Sequence, residues 1–151
     1  MAEATKETPQ RKPPVAGSVV VCGNCLLVLE KPAEGEIRLP KGKREEGESV
    51  LQTAVRETAE ESGYSGFEFV VQLGTQSVAF KKKRKLVERS ESYVLLSLDP
   101  TFLDTRGEGE AKFRPLWVSF SAAIELLSFE AEKHWARVAF EYLTQRPDAL
   151  H

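Results

Sequence analysis

The stretch from Glu48 to Gly63 constrains this chain more than any other, because it reads as one helix bounded at both ends and lined on one side with acids. Ser49 and Gln52 form a capping box, Val50, Leu51, Ala54 and Thr58 recur at helical spacing, and Gly63 supplies the stop. Glu57, Glu60 and Glu61 stand at i, i+3 and i+4, within an arc of roughly 100°. Like charges so spaced repel one another. Hard oxygen donors clustered this way suit Mg²⁺, which takes a few carboxylates and keeps waters and substrate phosphates. A solvated acidic face is the other reading of the same residues.

Strand signals surround this helix. Gly17 to Cys22 and Cys25 to Glu30 are apolar runs separated by Gly23-Asn24, a two-residue hairpin turn, and a short strand through Ile37 leads into Leu39-Pro40. Phe67 to Leu73, Ser77 to Phe80, Ser92 to Leu98 and Arg114 to Val118 carry β-branched and aromatic residues suited to strands. Ser119 caps a helix through Leu127, and Phe129 to Leu143 places Trp135, Val138, Ala139, Tyr142 and Leu143 on one stripe. Residues 1–14 have little to bury and are expected to form a disordered tail, with a single domain over 15–146 and a C-terminal tail over 147–151. This order predicts the α/β class, a mixed sheet with helices on both faces.

Composition narrows the functions open to such a domain. A formal net charge of -2 gives no global attraction to nucleic acid or to an anionic membrane, so any basic site is local. No apolar run approaches the roughly 20 residues of a membrane helix, and the N-terminus lacks a signal peptide's apolar stretch. The expectation is a soluble, cytoplasmic protein without a membrane partner. A signal cleaved before Met1 would leave no trace, so secretion stays open. Cys22 and Cys25 read as small apolar residues flanking the hairpin turn, since zinc would need two further ligands. His134, beside Trp135, reads as structural, and no Ser or Cys sits in a triad setting.

Gly42, Glu48, Arg56, Glu57, Glu60, Glu61, Gly63 and Tyr64 stand in the order G-x5-E-x7-R-E-U-x-E-E-x-G-U, which resembles the Nudix box. Thr58 stands where that family prefers an aliphatic residue, and its hydroxyl can bond back to the Ala54 carbonyl. The resemblance implies an α/β/α sandwich with a mixed β-sheet between helices, and hydrolysis of a phosphoanhydride bond. It implies Mg²⁺, with Mn²⁺ as a substitute, held by Glu57, Glu60 and Glu61, and Arg56 paired with Glu48 to hold the helix against the preceding loop. The metal would neutralise bridging phosphates and activate water. Family members take the general base from a box glutamate or from a later loop, where Glu108 and Glu110 precede Phe113 and Glu110 is favoured.

Leu39-Pro40-Lys41-Gly42-Lys43, with the later Trp117-Val118-Ser119 and Leu126-Leu127-Ser128-Phe129, resembles the branch acting on dinucleoside polyphosphates and diphosphoinositol polyphosphates. That resemblance places Lys41, Gly42 and Lys43 near substrate phosphates. Lys81-Lys82-Lys83-Arg84-Lys85 puts five cations between two predicted strands. If this run overhangs the metal, Lys82, Lys83 and Arg84 would draw in a substrate with many phosphates. A solvated hairpin tip, or a nuclear import signal, are its other readings. The expected partner is an anionic small molecule carrying several phosphates: diphosphoinositol polyphosphates first, dinucleoside polyphosphates second. Capped or triphosphorylated RNA comes third, since no aromatic-interleaved basic surface is visible. The rival from another class is a non-catalytic module binding phosphorylated ligands, which would not need three repelling acids. The sequence carries no sign of oligomeric state.

Overall fold

Alternation within β2 (Val15–Cys22) organises the molecule, a computed structural model of which describes residues 8–150. Ala16 and Val20 pack on one face of the sheet with Leu27, Val94 and Leu96, while Val19 and Val21 pack on the other with Leu26, Val28, Tyr93 and Leu95. A strand apolar on both faces must be covered on both. The helix α1 (Val50–Ser62) covers the first face through Ala54, and α2 (Phe120–Leu126) with α3 (Glu130–Gln145) covers the second through Ala123, Trp135, Ala136 and Ala139. The expected α/β/α sandwich is therefore the fold.

Among the described residues eight strands form one mixed sheet. The long β7 (Lys85–Ser97) runs parallel to β2, with Gly17 opposite Tyr93, and antiparallel to β6 (Glu68–Lys82). The other edge of β2 is divided. Val15 to Gly17 pair with β5 (Lys41–Lys43), whereas Val21 and Cys22 pair with β3 (Cys25–Lys31). Strand β3 in turn carries β4 (Glu36–Arg38) and β8 (Arg114–Ser119). Because β5 occupies the edge of β2 beside α1, the chain brings Lys41 and Gly42 against the acidic side of the helix. Cys22 and Cys25 face each other across the Gly23-Asn24 turn as free thiols, the arrangement expected of strand-end residues.

Three segments depart from expectation. Phe67 to Leu73 and Ser77 to Phe80 are not separate strands but parts of the continuous β6, which absorbs register shifts between Phe69 and Val71 and between Gln72 and Gly74. Gly74 makes this possible: at φ 148° it lets the strand pass under Trp135, where a Cβ would lie 2.8 Å from the indole. The basic run is mostly strand, since only Lys83 and Arg84 form the turn, at φ 51° and 67°. Finally, Gln10–Arg11 form β1, parallel to Val87 and Glu88, within the segment expected to be a disordered tail. Backbone pairing to a free sheet edge needs no apolar side chain, so composition did not signal it. Residues 1–7 of that tail lie outside the described residues. In the C-terminal tail, Ala149 N–H donates to the Arg146 carbonyl at 3.0 Å and Leu150 packs against the core, while His151 lies outside the described residues. Among the described residues no helix is long and apolar enough to cross a membrane.

Candidate active site

The acids of α1 are set by its ends. Ser49 Oγ accepts from Gln52 N–H at 3.1 Å and Gln52 Oε1 accepts from Ser49 N–H at 2.9 Å, closing the expected capping box, a cap worth about 1 kcal/mol. Gly63 closes the other end in the left-handed conformation. Thr58 Oγ1 lies 2.6 Å from the Ala54 carbonyl and also 2.6 Å from Ser18 Oγ of β2. The residue that departs from the box pattern thus has a hydroxyl partner on the sheet.

Arg56 orders the acids around it. Its Nε and Nη2 donate to the two oxygens of Glu48 at 2.7 and 2.9 Å, and Nη2 donates to the Lys43 carbonyl at 3.0 Å. The helix is thereby tied to the loop before it. This fork holds the Glu48 carboxyl down to about 2. Nη1 donates to Glu57 Oε1 at 2.8 Å and reaches Glu60, 51% exposed, at 3.3 Å. Burial raises the Glu57 carboxyl, an effect that Arg56 opposes. The Glu57 carboxylate lies against the Cα of Gly42, where a Cβ would stand 2.0 Å from Cδ.

Glu61 is the most buried of the three. Its Oε1 accepts from Lys41 N–H at 2.9 Å and its Oε2 lies 3.9 Å from Arg38 Nη2. Burial raises its carboxyl to about 7, with Arg38 and the Lys41 amide opposing and the charges of Glu57 and Glu110 adding to the rise. Glu110 is brought here by a loop threaded against the end of α1. Gly107 N–H donates to the Gly63 carbonyl at 2.8 Å, Arg106 Nε donates to the Ser62 carbonyl at 2.8 Å, and Glu110 N–H donates to the Glu61 carbonyl at 3.3 Å. The Glu110 carboxylate also pairs with Lys112 at 3.3 Å. Glu108 lies on the same loop, exposed, and its charge is not among those acting most on Glu57 and Glu61.

Next to these acids a cleft of about 530 Å³ opens between the β6–β7 hairpin and the start of α3. Arg38, Lys41, Lys82, Arg89, Phe80 and Phe129 are among its lining residues. The Lys41 ammonium is not free toward it: it pairs with Glu132, which is 1% exposed and also accepts from Leu39 N–H at 2.5 Å. Of the cations expected to bind substrate, Lys82 borders the cleft, Lys83 borders a separate hollow beside Lys12 and Val87, and Arg84 borders neither. Lys43 is exposed on β5, pairing with Val15.

Residues 11–140 match the NUDIX domain. The chain belongs to the Nudix hydrolase family. It is 34% identical to Nudix hydrolase 21, chloroplastic, of Arabidopsis thaliana over 121 residues, 80% of this chain and 56% of that protein. It thus spans little more than half the length of that curated relative. In fold it resembles the Ap4A hydrolase of C. elegans, with a TM-score of 0.70 at 20% identity, covering 89% of this chain and 99% of the other. It also resembles the MutT protein of Bacillus halodurans, with a TM-score of 0.57 at 27% identity, covering 85% and 80%.

The donor set of this Nudix chain fits a hard divalent cation: carboxylates alone, two of them raised by burial and by neighbouring glutamate charges, beside a glycine that leaves Glu57 room. Among the described residues, however, no three His, Cys, Asp or Glu side chains stand gathered as a ready cage. Arg56 holds Glu57 and Glu60, and the Lys41 amide holds one oxygen of Glu61. Two residues in contact with this arrangement carried no assignment from the sequence. Glu132 could have been noticed as a charge on the same helical stripe as Trp135, Ala136 and Ala139. Arg38 had no signal beyond its place immediately before Leu39-Pro40-Lys41-Gly42.

Proposed function

We propose that this protein hydrolyses a phosphoanhydride bond in a small, phosphate-rich molecule, with Mg²⁺ or Mn²⁺ held by Glu57, Glu60 and Glu61. Burial and the nearby Glu110 charge raise both the Glu57 and the Glu61 carboxyl, with Arg56 and Arg38 opposing only in part, and this unrelieved negative charge along α1 supports the reading. A divalent ion bound there would supply charge neutralisation at the bridging phosphates and lower the pKa of water. Glu61 offers Oε2, because Oε1 stays with the Lys41 amide, and Glu57 offers Oε2, because Oε1 stays with Arg56. Glu60, exposed and held by Arg56 at 3.3 Å, would complete the set of ligands. Glu110, fixed by its loop, takes the proton of the attacking water. The Glu48–Arg56 fork keeps the loop and helix in register while the acids rearrange.

Among substrate classes, the cleft favours dinucleoside polyphosphates over diphosphoinositol polyphosphates. Lys31, Arg38, Lys41, Lys81, Lys82 and Arg89 line it, but so do Glu34, Glu36, Glu91 and Glu132. Lys31, Lys41 and Arg89 already pair with Glu34, Glu132 and Glu91. Few cations are left for an inositol ring phosphorylated all round. Phe129, 40% exposed, instead offers an aromatic ring on which a base could stack, with the Lys41 ammonium already 5.2 Å from its centroid. Lys81 and Lys82 at the same cleft support the inositol class as the second reading.

A hydrolysis screen tests both levels. Diadenosine tetraphosphate and a diphosphoinositol pentakisphosphate, with triphosphorylated RNA as a third arm, would be assayed with Mg²⁺ and with chelator. Phe129→Ala should raise KM for the dinucleotide about tenfold, a loss of roughly 1.4 kcal/mol, and leave the inositol substrate unaffected. If Lys81→Ser with Lys82→Ser impairs only the inositol substrate, and that substrate turns over faster in the wild type, the order of the two classes reverses. Binding of all three without Mg²⁺-dependent turnover would make the protein a phosphate-binding module.

A further inference from the structure

Whereas the Lys41 ammonium is paired with Glu132, Arg38 reaches both the helix acids and the cleft with its charged group. It ends β4, its side chain is 17% exposed, and its guanidinium lies 5.1 Å above the ring of Phe113, which fixes the plane of the fork. Its bonds are poor for so enclosed a group. Nη2 stands 3.9 Å from Glu61 Oε2, too far for a hydrogen bond, and 3.5 Å from the Lys41 carbonyl, at the limit of one. Nε is buried with no hydrogen-bond partner. A guanidinium carries five donors and no acceptor, and leaving such donors unmet in a poorly solvated place is costly. The other enclosed cations of the cleft do not share this condition: Arg89 meets Glu91 at 2.7 Å and Lys41 meets Glu132.

We infer that Arg38 is a substrate-binding residue that changes partners. In the metal-free protein it is the loose counter-ion of Glu61. When a divalent ion takes the Glu61 carboxylate, Arg38 is released from it and presents its fork to a phosphate lying in the cleft. The chemistry recommends this division of labour. A planar guanidinium matches two phosphate oxygens at once, which a lysine does not. The enclosed position makes each such bond stronger than one made by the lysines at the hairpin end. Phosphate held by Arg38 is also held beside Glu61, so the ligand bridges cleft and metal and is aligned for attack at one defined bond. Metal and arginine then compete for one carboxylate until substrate arrives, after which the phosphate separates their charges.

The inference rests on the proposed metal site, and two measurements separate their failures. Mg²⁺ binding to the metal-free full chain would be followed by calorimetry, and kcat and KM for diadenosine tetraphosphate by product assay, in wild type, Arg38→Met and Arg38→Lys. Arg38→Met should bind Mg²⁺ about threefold or more tightly, because a competing cation is gone, while its KM rises at least about tenfold. Arg38→Lys keeps the charge and should keep the wild-type Mg²⁺ affinity, yet its KM should rise too, because the fork is lost. It also serves if the Met variant does not fold: an unchanged KM in Arg38→Lys overturns the inference. Weaker or equal Mg²⁺ binding in Arg38→Met, with KM unchanged, overturns it as well. A purely structural Arg38 would lower stability without tightening metal binding. Failure of the wild type itself to bind Mg²⁺ overturns the metal site on which both readings stand.

Discussion

Gly42 and the Glu57 carboxylate adjoin so closely that a Cβ on Gly42 would stand 2.0 Å from Glu57 Cδ. The atom in the way is the far end of a flexible side chain, so the fold can yield where the site cannot. Gly42→Ala should therefore leave Tm within about 3 °C of wild type while cutting kcat/KM roughly 100-fold and weakening Mg²⁺ binding. Thermal melts beside steady-state assays check this. A large fall in Tm with a matching loss of activity would show that β5, not Glu57, had been disturbed.

Burial raises the Glu61 carboxyl from 4.5 to about 7, so the folded, metal-free protein keeps a proton that the unfolded chain releases. The stability contributed by that proton is complete below the unfolded value and is lost as pH rises through the folded one. On the order of 3 kcal/mol is at stake across this window. Metal-free Tm should fall between about pH 5 and pH 8, and Mg²⁺ should restore it more at the upper end, displacing protons as it binds. Glu61→Gln should flatten the profile, hold or raise Tm, and lose turnover by several orders of magnitude. A wild-type profile that is already flat in scanning calorimetry would contradict the assignment.

The loop carrying Glu110 is bonded to α1 at three backbone positions, whereas nothing draws the Glu108 side chain toward the acids. Glu110→Gln should lower kcat by about 10²–10⁴-fold with KM little changed, and the acidic limb of the pH profile should disappear. Glu108→Gln should behave as wild type. A larger effect in Glu108→Gln, or none in either, would return the general base to the box itself.

Thr58 and Ser18 share a buried hydroxyl contact, and the two are not equivalent. Thr58 also bonds the Ala54 carbonyl, so it stays satisfied when Ser18 is removed, while Ser18 loses this partner when Thr58 is removed. Thr58→Val should cost about 1–2 kcal/mol, Ser18→Ala less, and the double variant less than the sum, with a coupling near 1 kcal/mol. Chemical denaturation of all four proteins measures it. Strict additivity would mean that the contact contributes nothing to stability.

The helix of the site was legible because its signals are local: Ser49, Gln52 and Gly63 each act within one turn of their own position. The Gly23-Asn24 hairpin was legible for the same reason. Of the β6–β7 ribbon, the strand character of Phe67–Leu73, Ser77–Phe80 and Ser92–Leu98 was legible, but its continuity through Gly74 and through the Lys81–Lys85 run was not, since those residues carry no apolar alternation and the strands are held there by pairing with each other. The placement of Glu57, Glu60 and Glu61 on one helix followed from spacing, but their pairing with Arg56 and the Lys41 amide depended on where β5 was laid. Arg38 and Glu132 belong to the same class. Each is one charge among many in sequence, and its meaning arises from contacts across 23 and 93 residues.

A Cβ on Gly63 would meet the Gly107 carbonyl at 2.3 Å, and one on Gly109 would meet the Glu61 carbonyl at 2.5 Å. Main chain lies on main chain at this crossing, with the Arg106 side chain bonded to the Ser62 carbonyl beside it. The backbones of Glu110 and Glu61 are thereby held together, so that on the proposed mechanism the base would sit beside the helix acids before any substrate arrives. Adjustment to a long polyphosphate is expected instead from the opposite bank, where the ribbon ends in the exposed turn at Lys83 and Arg84. Variants of this protein selected for new substrates should accumulate changes along that ribbon and leave the Gly63–Gly109 crossing untouched.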